Sequence, residues 1–238
     1  MILTVDIGNS RIKWARFDNR KVFESGMMAH GDFNGIKALL TYYQNDSICI
    51  SSVVALDDGV NAFCKSVGAF MVDNKSKTPL INKYQTPETL GMDRICAAVG
   101  AKSHFPEHPI LSIDIGTCVK YEFISKEGEY LGGNISPGLQ MRFSALNQYT
   151  SKLPKLAPSA IKGPIGRSTS EALQLGVQQG ILFEMDAMIE TMKALHPELK
   201  IVATGGDLPF FVNELKTHIF ADLLLVLRGI NEIYLHNT

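Results

Sequence analysis

A strand-like segment that ends in Asp-Ile-Gly occurs twice in this chain, beginning at residue 2 and again at residue 110. The first copy reads ILTVDIGNS and the second ILSIDIGTC. Each is an apolar run followed by a carboxylate, a glycine and a small polar residue, which leaves backbone amides able to meet phosphate at a tight turn. Two copies separated by one domain length predict a duplicated fold that binds a nucleotide between its halves.

Both halves of the chain show the same succession of strand-like and helix-like segments. In the first half we expect strands over 2–7, 11–17 and 21–26, helices over 33–43 and 57–67, a loop over 73–89 and a helix from Gly91. In the second half we expect strands over 109–115, 118–125 and 130–135 and helices over 138–147 and 168–195. The pattern predicts an α/β protein with an N-terminal domain over 1–107 and a C-terminal domain over 108–238.

Composition narrows the classes of partner. Lys and Arg total 23 against 24 Asp and Glu, so no overall positive field attracts nucleic acid, and we expect no nucleic acid partner. The four cysteines are scattered without metal-ligand spacing, which predicts reduced thiols. No stretch reaches the roughly 18 apolar residues of a membrane span, and no charged leader precedes the first strand. We therefore expect a cytoplasmic protein without a membrane partner.

The turn after the first strand holds a set of phosphate-binding residue types. Gly8 permits close backbone approach, Asn9 and Ser10 donate hydrogen bonds, and Lys13 supplies positive charge. The carboxylate of Asp6 cannot bind phosphate directly, so its expected role is to hold Mg²⁺ through water. The alternative is a strand turn that only satisfies its own backbone.

The turn after the repeated strand carries Asp114, Gly116 and Thr117. Its sequence predicts a second phosphate loop, again with a carboxylate at a strand end. The alternative is that duplication kept this turn for folding alone.

A third acid lies where an amphipathic helix is predicted to begin, in the sequence Gly91-Met92-Asp93-Arg94. Asp93 can accept a proton from a substrate hydroxyl, and Arg94 can bind an anionic group. The alternative is that Asp93 is a stabilising charge in the first helical turn.

Three further glycine motifs have structural alternatives. The sequence Thr204-Gly205-Gly206-Asp207 predicts a strand-to-helix turn that either admits adenine or is an ordinary glycine turn. The segment 163–169 does not fit a P-loop, so Ser168 or Thr169 is predicted as a helix cap. Gly176 and Gly180 share one face of the long helix, which suits a dimer contact or an interdomain contact.

Taken together, these motifs resemble those of the type III pantothenate kinases, in the acetate kinase/sugar kinase/Hsp70/actin superfamily. The resemblance spans essentially the whole chain, and the order and spacing of its motifs make it specific. It rests on Asp6-x-Gly8-Asn9-Ser10, Tyr84 seven residues before Gly91-x-Asp93-Arg94, Asp114-x-Gly116-Thr117, Gly132-Gly133-x-Ile135-x-Pro137-Gly138 and Gly166-x-Ser168-Thr169.

The resemblance implies two ribonuclease H-like (actin-like ATPase) domains with a nucleotide cleft between them. The implied activity is ATP-dependent phosphorylation of pantothenate to 4′-phosphopantothenate, the first step of coenzyme A biosynthesis. Asp93 is implied as the catalytic base. The implied ATP-binding residues are Asp6, Ile7, Gly8, Asn9, Ser10, Arg11, Ile12, Lys13 and Thr117. The implied pantothenate-binding residues are Tyr84, Gly91, Met92, Asp93, Arg94 and Thr169.

The resemblance also implies ions and an assembly. Asp114 matches the ligand of an activating monovalent cation, K⁺ or NH₄⁺, Mg²⁺ accompanies ATP, and similar enzymes are homodimers whose pocket is completed across the subunit interface. The chain departs from the family after the second phosphate turn, where the usual Ala-x-Thr is replaced by Cys118-Val119-Lys120. Lys120 either offers charge to phosphate or points away.

Two other functions are compatible with the same motifs. One is a regulatory homologue without catalysis, similar to transcriptional activators among the relatives. The other is a different small-molecule kinase or a phosphohydrolase of the superfamily. The acids at 6, 93 and 114 argue against the first, and the spacing from Tyr84 to Arg94 argues against the second.

Overall fold

The chain folds into a mixed α/β structure with two β-sheets, as the sequence predicts. A computed structural model describes residues 1–160 and 163–238. Two compact units divide the chain: the first comprises 1–108, 123–132 and 224–238, and the second comprises 109–122 and 133–223. The domain limits 1–107 and 108–238 stay a prediction, because a compact unit need not fold alone.

The described residues form strands and helices in both units. The strands are β1 (Ile2–Ile7), β2 (Arg11–Asp18), β3 (Lys21–Ala29), β4 (Ser47–Ser52), β5 (Phe70–Met71), β6 (Ile81–Asn82), β7 (Ile110–Ile115), β8 (Cys118–Ile124), β9 (Glu129–Pro137), β10 (Lys200–Thr204) and β11 (Phe220–Ala221). The α-helices are α1 (Phe33–Tyr42), α2 (Asp58–Ser66), α3 (Met92–His104), α4 (Leu139–Gln148), α5 (Thr169–Leu195), α6 (Leu208–Phe211) and α7 (Leu225–Asn237).

The first sheet has the strand order β3-β2-β1-β4-β5, with β1 in the middle. β1 pairs antiparallel with β2 and parallel with β4. Its apolar residues Leu3, Val5 and Ile7 are fully buried, and they pack in one cluster with Ile36 and Leu40 of α1. Burial of these side chains supplies most of the driving force that holds the strand in place.

The second sheet has the strand order β11-β10-β7-β8-β9-β6. β7 pairs parallel with β10, which pairs parallel with β11. The long helix α5 begins where the hydroxyl of Ser168 accepts a hydrogen bond from the amide of Glu171, at 3.2 Å. This contact confirms the predicted cap at Ser168 and explains why the helix begins there.

The repeated segments form equivalent strands. β1 and β7 are both six residues long, and both are buried at every position except the fifth. The fifth residue is Asp6 in one strand and Asp114 in the other, and each aspartate is half-buried. The predicted repeat therefore holds in structure, with one carboxylate at the same position of each strand.

Helix α7 packs along α3, and glycine makes the close approach possible. A Cβ atom on Gly229 of α7 would fall on the carbonyl oxygen of Cys96, and one on Gly100 of α3 would fall on that of Leu225. Since each glycine faces the other helix's backbone, any larger residue would push the helices apart. The contact fixes the position of α3, which begins with Met92, Asp93 and Arg94.

The turn between β2 and β3 also holds α7. The guanidinium of Arg20 donates to both carboxylate oxygens of Glu232, at 2.7 and 3.0 Å, and the side chain of Asn231 donates to the carbonyl of Asn19 at 2.8 Å. These contacts join residues more than two hundred positions apart in the sequence. They tie the C-terminal helix to the first sheet.

The structure differs from the sequence-based expectation in three places. The predicted loop over 73–89 contains the short strand β6 and a 3₁₀ turn at Pro87–Thr89. The helix expected after Thr204-Gly205-Gly206-Asp207 is only the four-residue α6. The C-terminal α7 was not predicted. Among the described residues, no helix has the length and apolar character needed to cross a membrane.

Candidate active site

The turn between β1 and β2 presents polar side chains to solvent. Asn9, Ser10 and Arg11 are exposed, and the amide of Gly8 donates to the carbonyl of Arg11 at 3.1 Å. Ile7 and Ile12 are fully buried, so they can contribute to a ligand site only through their backbone. The turn thus provides exposed donors and backbone amides at one end of the first sheet.

The strand register brings two charged residues to the same face of this sheet. Asp6 lies opposite Lys13 on β2, and it is also the register partner of Ser51 on β4. Side chains of directly opposite residues point to the same face. The carboxylate that the sequence assigns to the first phosphate turn therefore shares its sheet face with a lysine.

Asp93 lies in the first turn of α3, whose N-cap is Gly91. The Asp93 carboxylate accepts a hydrogen bond from the amide of Arg94 at 2.9 Å, and a Cβ atom on Gly91 would lie 2.7 Å from the same oxygen. Glycine at 91 therefore leaves room for this carboxylate. The contact gives Asp93 a local structural role and does not exclude a chemical one.

Arg94 is 93% buried at the start of the same helix, with only 7% of its surface exposed. Its guanidinium lies 5.4 Å from the centre of the Tyr84 ring, and its Nη1 lies 3.5 Å from the Tyr84 hydroxyl. A buried arginine that stacks on an aromatic ring is held in one orientation, which suits recognition of an anionic group.

Tyr84 is positioned by a glycine and a second tyrosine. A Cβ atom on Gly132, which has a φ of +117°, would lie 3.3 Å from the Tyr84 ring, and the Tyr130 ring lies 6.0 Å away. The Tyr84 amide donates to the side chain of Asn82 at 2.9 Å. The presence of glycine at position 132 of the sequence motif is thus explained by its positive φ and by the nearby Tyr84 ring.

Asp6 and Asp93 act on a common neighbour, the thiol of Cys96. Burial raises the pKa of Cys96 well above its usual value, and the negative charges of Asp6 and Asp93 raise it further. The two carboxylates come from β1 and α3, which both belong to the first unit. The first unit therefore carries two of the three predicted acids.

The turn between β7 and β8 carries the third acid, in the second unit. The Gly116 amide donates to the carbonyl of Cys118 at 3.0 Å, and Thr117 is exposed. The ammonium of Lys120 lies 2.6 Å from the carboxylate of Asp114, and their side chains are only 17% and 16% exposed. From the sequence, Lys120 was expected either to offer its charge to phosphate or to point away. In the structure it pairs with Asp114 instead.

Two other glycines pack against the backbone of the same turn. A Cβ atom on Gly138 would fall on the carbonyl oxygen of Gly116, and one on Gly205 would fall on that of Ile115. Gly205 also has a φ of +108°, a conformation that favours glycine. The amide of Asp207 donates to the Ile115 carbonyl at 2.9 Å. The motif at 204–207 therefore has a packing role beside any contact with adenine.

A polar network links α5 to the segment before Gly138. Glu184 accepts hydrogen bonds from the hydroxyls of Ser136, at 2.6 Å, and Tyr121, at 2.9 Å, and it pairs with Arg142. Burial by itself would raise the pKa of Glu184, but the hydrogen bonds from Ser136, Arg142 and Tyr121 outweigh it and lower the pKa. No local sequence signal indicates this network, because only Ser136 lies inside a recognised motif.

A cavity of about 350 Å³ lies beside the start of α3, in the first unit. Met92 and Ile95 line it together with residues of the 73–90 segment, whereas Asp93, Arg94 and Tyr84 are not among its described lining residues. The predicted residue Met92 therefore faces a different side of the helix. We assign the chemistry to the side with Asp93 and Arg94, where a carboxylate and a guanidinium lie on consecutive residues beside Tyr84.

The second unit contains the remaining predicted site residues. Asp114 and Thr117 lie at the β7–β8 turn, and Thr169 is the exposed first residue of α5. In residues 1–160 and 163–238 there is no cluster of three or more His, Cys, Asp or Glu side chains arranged to hold a metal ion.

Comparison with protein families gives one match over most of the chain. Residues 2–191 match the family described as type III pantothenate kinase. Proteins of that name from Bacteroides fragilis (strain YCH46) and Phocaeicola vulgatus are 40% and 41% identical over 239 residues, which cover 100% of this chain and 98% and 99% of the relatives. One from Porphyromonas gingivalis (strain W83) is 37% identical over 240 residues, covering 99% of this chain and 98% of the relative.

Solved structures share the fold at low sequence identity. A Campylobacter jejuni protein described as belonging to the Baf family of transcriptional activators aligns with a TM-score of 0.62 and 22% identity, over 99% of this chain and 98% of its own. An inorganic polyphosphate/ATP-glucomannokinase from Arthrobacter aligns with a TM-score of 0.51 and 12% identity, with the same coverage. These two likenesses confirm the predicted α/β fold.

Proposed function

Because the chain belongs to the type III pantothenate kinase family, we propose that it transfers the γ-phosphoryl group of ATP to the hydroxyl of pantothenate, giving 4′-phosphopantothenate for coenzyme A biosynthesis. The observation that carries the proposal is the start of α3, where Asp93 precedes a buried Arg94 that stacks on Tyr84. This arrangement offers a carboxylate for a hydroxyl proton beside a fixed cation for the substrate carboxylate.

Asp93 is proposed as the base that orients and deprotonates the attacking hydroxyl. Its position near the start of a helix, with Gly91 leaving room beside it, supports a fixed carboxylate orientation. Most of the rate enhancement in phosphoryl transfer comes from positioning and electrostatic stabilisation, so a rigid base is well suited to the reaction. Arg94, Tyr84 and Thr169 are proposed to bind pantothenate, with Gly91 and Met92 shaping the site.

The two strand turns are proposed to bind ATP. The exposed donors Asn9, Ser10 and Arg11, together with Lys13, would meet the phosphates from the first turn, and Thr117 would contact ATP from the second. Asp6 fits a magnesium site of the kind that keeps most of its waters, because it is a half-buried carboxylate at a strand end. When bound with ATP, Mg²⁺ would offset negative charge on the phosphates.

The residues at Asp114 do not fit the monovalent cation that the resemblance implies. Lys120 already places a positive charge 2.6 Å from the Asp114 carboxylate. A K⁺ or NH₄⁺ ion on the same oxygens would be repelled by that ammonium. The proposed reaction therefore includes no step that depends on such an ion.

A homodimer formed through α5 is also part of the proposal. Gly176 and Ala187 are exposed on this helix, and Phe183 is 64% exposed between them. The spacing of these positions puts them on one helix face, and the adjacent Gly180 would allow a second helix to approach closely. The cytoplasmic location stays a prediction.

The test of the proposed function is direct product detection. Purified protein is incubated with ATP, Mg²⁺, KCl and pantothenate, and mass spectrometry is used to look for phosphopantothenate. A panel of other hydroxylated acids and sugars is run in parallel. We expect phosphorylation of pantothenate alone; phosphorylation of another panel member in its place would make the protein a different small-molecule kinase, and no product at all would favour the regulatory homologue.

A further inference from the structure

The ion pair between Lys120 and Asp114 lies where the family resemblance implies a free cation. We propose that the ammonium of Lys120 takes the place of the activating monovalent cation, so that the enzyme needs neither K⁺ nor NH₄⁺. The inference rests on the proposed kinase function and concerns only how charge is supplied at the second turn. The inference is drawn because the side chains of Lys120 and Asp114 do not fit the K⁺ or NH₄⁺ ion that the resemblance implies.

Lys120 and Asp114 form a short and largely covered ion pair. The 2.6 Å separation of Lys120 Nζ and Asp114 Oδ2 is that of a charge-assisted hydrogen bond. Because both side chains are more than four-fifths covered, salt screens this pair less than it screens an ion pair on the surface. Dissolved K⁺ therefore competes poorly for the same carboxylate.

The lysine side chain and the implied ion are chemically alike. NH₄⁺ and a lysine ammonium carry the same charge and present N–H donors of the same kind. The family's threonine at this position would offer only a neutral hydroxyl. Exchange of that threonine for Lys120 adds one positive charge, which is what a bound monovalent cation would also add.

The turn that bears the ion pair is tightly packed. Asp114 is the fifth of the six residues of β7 and Lys120 lies in the neighbouring β8, with only the Gly116–Thr117 turn between the strands. Gly138 and Gly205 pack directly on the backbone of that turn. The ammonium is thus held by the chain itself, and its local concentration does not depend on the salt in solution.

The experiment compares phosphopantothenate formation in KCl, NH₄Cl and choline chloride at equal ionic strength. The wild-type rate is expected to be the same in all three salts. In choline chloride, the rate of Lys120→Thr is expected to be at least about tenfold lower than that of the wild type. KCl is expected to restore the rate of this variant. Lys120→Arg keeps a positive charge and is expected to stay independent of the salt.

A matched control removes a lysine from another ion pair of the same unit. Lys216 lies 3.9 Å from Glu190, and both side chains are largely exposed. Lys216→Thr is therefore expected to behave like the wild type in every salt. This control separates the loss of one particular ammonium from the loss of any positive charge.

A second measurement does not depend on catalysis. The melting temperature of each protein is recorded in KCl and in choline chloride. K⁺ is expected to raise the melting temperature of Lys120→Thr and to leave that of the wild type unchanged. If no protein makes product but this pattern is seen, the proposed function fails and the inference about the cation stands.

Two results would overturn the inference while leaving the kinase function intact. The first is a wild-type enzyme whose rate falls in choline chloride and is restored by KCl. The second is a folded Lys120→Thr protein that K⁺ neither activates nor stabilises. Because the first result needs no variant, the proposal can be refuted even if Lys120→Thr does not fold.

Discussion

The guanidinium of Arg94 lies over the ring of Tyr84, 5.4 Å from its centre, in a part of the first unit where Arg94 is almost fully buried. A buried cation held by an aromatic face can recognise a carboxylate through two parallel hydrogen bonds. Lysine has the charge but lacks the planar fork and its stacking. The contact therefore makes a prediction about substrate recognition.

Arg94→Lys is expected to raise the KM for pantothenate by at least about tenfold, because the two-point contact with the substrate carboxylate is lost. The KM for ATP is expected to stay the same. Steady-state kinetics with each substrate varied in turn measures both values. Arg228→Lys, an arginine on α7 whose side chain contacts the carbonyl of Arg20, is the control. An equal rise in both KM values would argue against a specific role for Arg94.

Gly229→Ala is expected to destabilise the protein by about 1–3 kcal/mol, because the added Cβ would overlap the carbonyl of Cys96 in α3. Denaturant unfolding measures the change. Gly206→Ala is the control and is expected to have little effect, because a Cβ atom there would meet no described atom within 4 Å. Equal stability of Gly229→Ala and the wild type would show that α3 and α7 do not need glycine at their contact.

The network around Glu184 predicts a pH dependence of stability. The pKa of Glu184 lies below its ordinary value of 4.5, so the ionised carboxylate stabilises the folded state. That contribution is fully present above pH 4.5 and is lost as the pH falls through the lowered pKa. As the pH falls below 4.5, the free energy of unfolding is expected to decrease less steeply for Glu184→Gln than for the wild type.

The control for this prediction is on the same helix. Glu190 is 66% exposed in its side chain and lies 3.9 Å from Lys216. Glu190→Gln is expected to keep the wild-type pH profile, since exposed ion pairs contribute little to stability. Identical acid profiles for Glu184→Gln and the wild type would mean that the network does not stabilise the fold.

The exposed face of α5 predicts how the protein assembles. Phe183→Glu is expected to convert a homodimer to a monomer and to lower kinase activity, because a charge would be buried in the interface. Leu195→Glu, at the exposed end of the same helix, is the control. Sedimentation measures the mass of each protein. Sedimentation of the wild type as a monomer would show that the proposed homodimer does not form.

Local sequence was enough to predict the strands that carry the acids. The runs ending at Asp6 and Asp114 are apolar, and a glycine two residues later ends each strand, so the pattern needs no distant information. Ser168 likewise predicts the start of α5 through its own hydroxyl. These features depend on residues within a few positions of one another.

Two features that the sequence did not predict, α7 and the ion pair of Lys120 with Asp114, depend on long-range contacts. An apolar period over residues 225–233 could have indicated α7, but no local signal says that Gly229 faces Cys96 or that Glu232 pairs with Arg20. The same holds for Lys120, which was recognised as a departure from the family. Its pairing with Asp114 became visible only when the fold brought the two side chains together.

The role of Asp93 as the base is decided by the rate of phosphopantothenate formation in the variant Asp93→Asn. The amide keeps the shape of the carboxylate but cannot accept the hydroxyl proton, so the rate is expected to fall by at least about a hundredfold while ATP binding is unchanged. Asp58→Asn, an acid in the first turn of α2, is the matched control and is expected to retain the wild-type rate. A rate for Asp93→Asn equal to that of the wild type would contradict the account and leave Asp93 as a helix-stabilising charge.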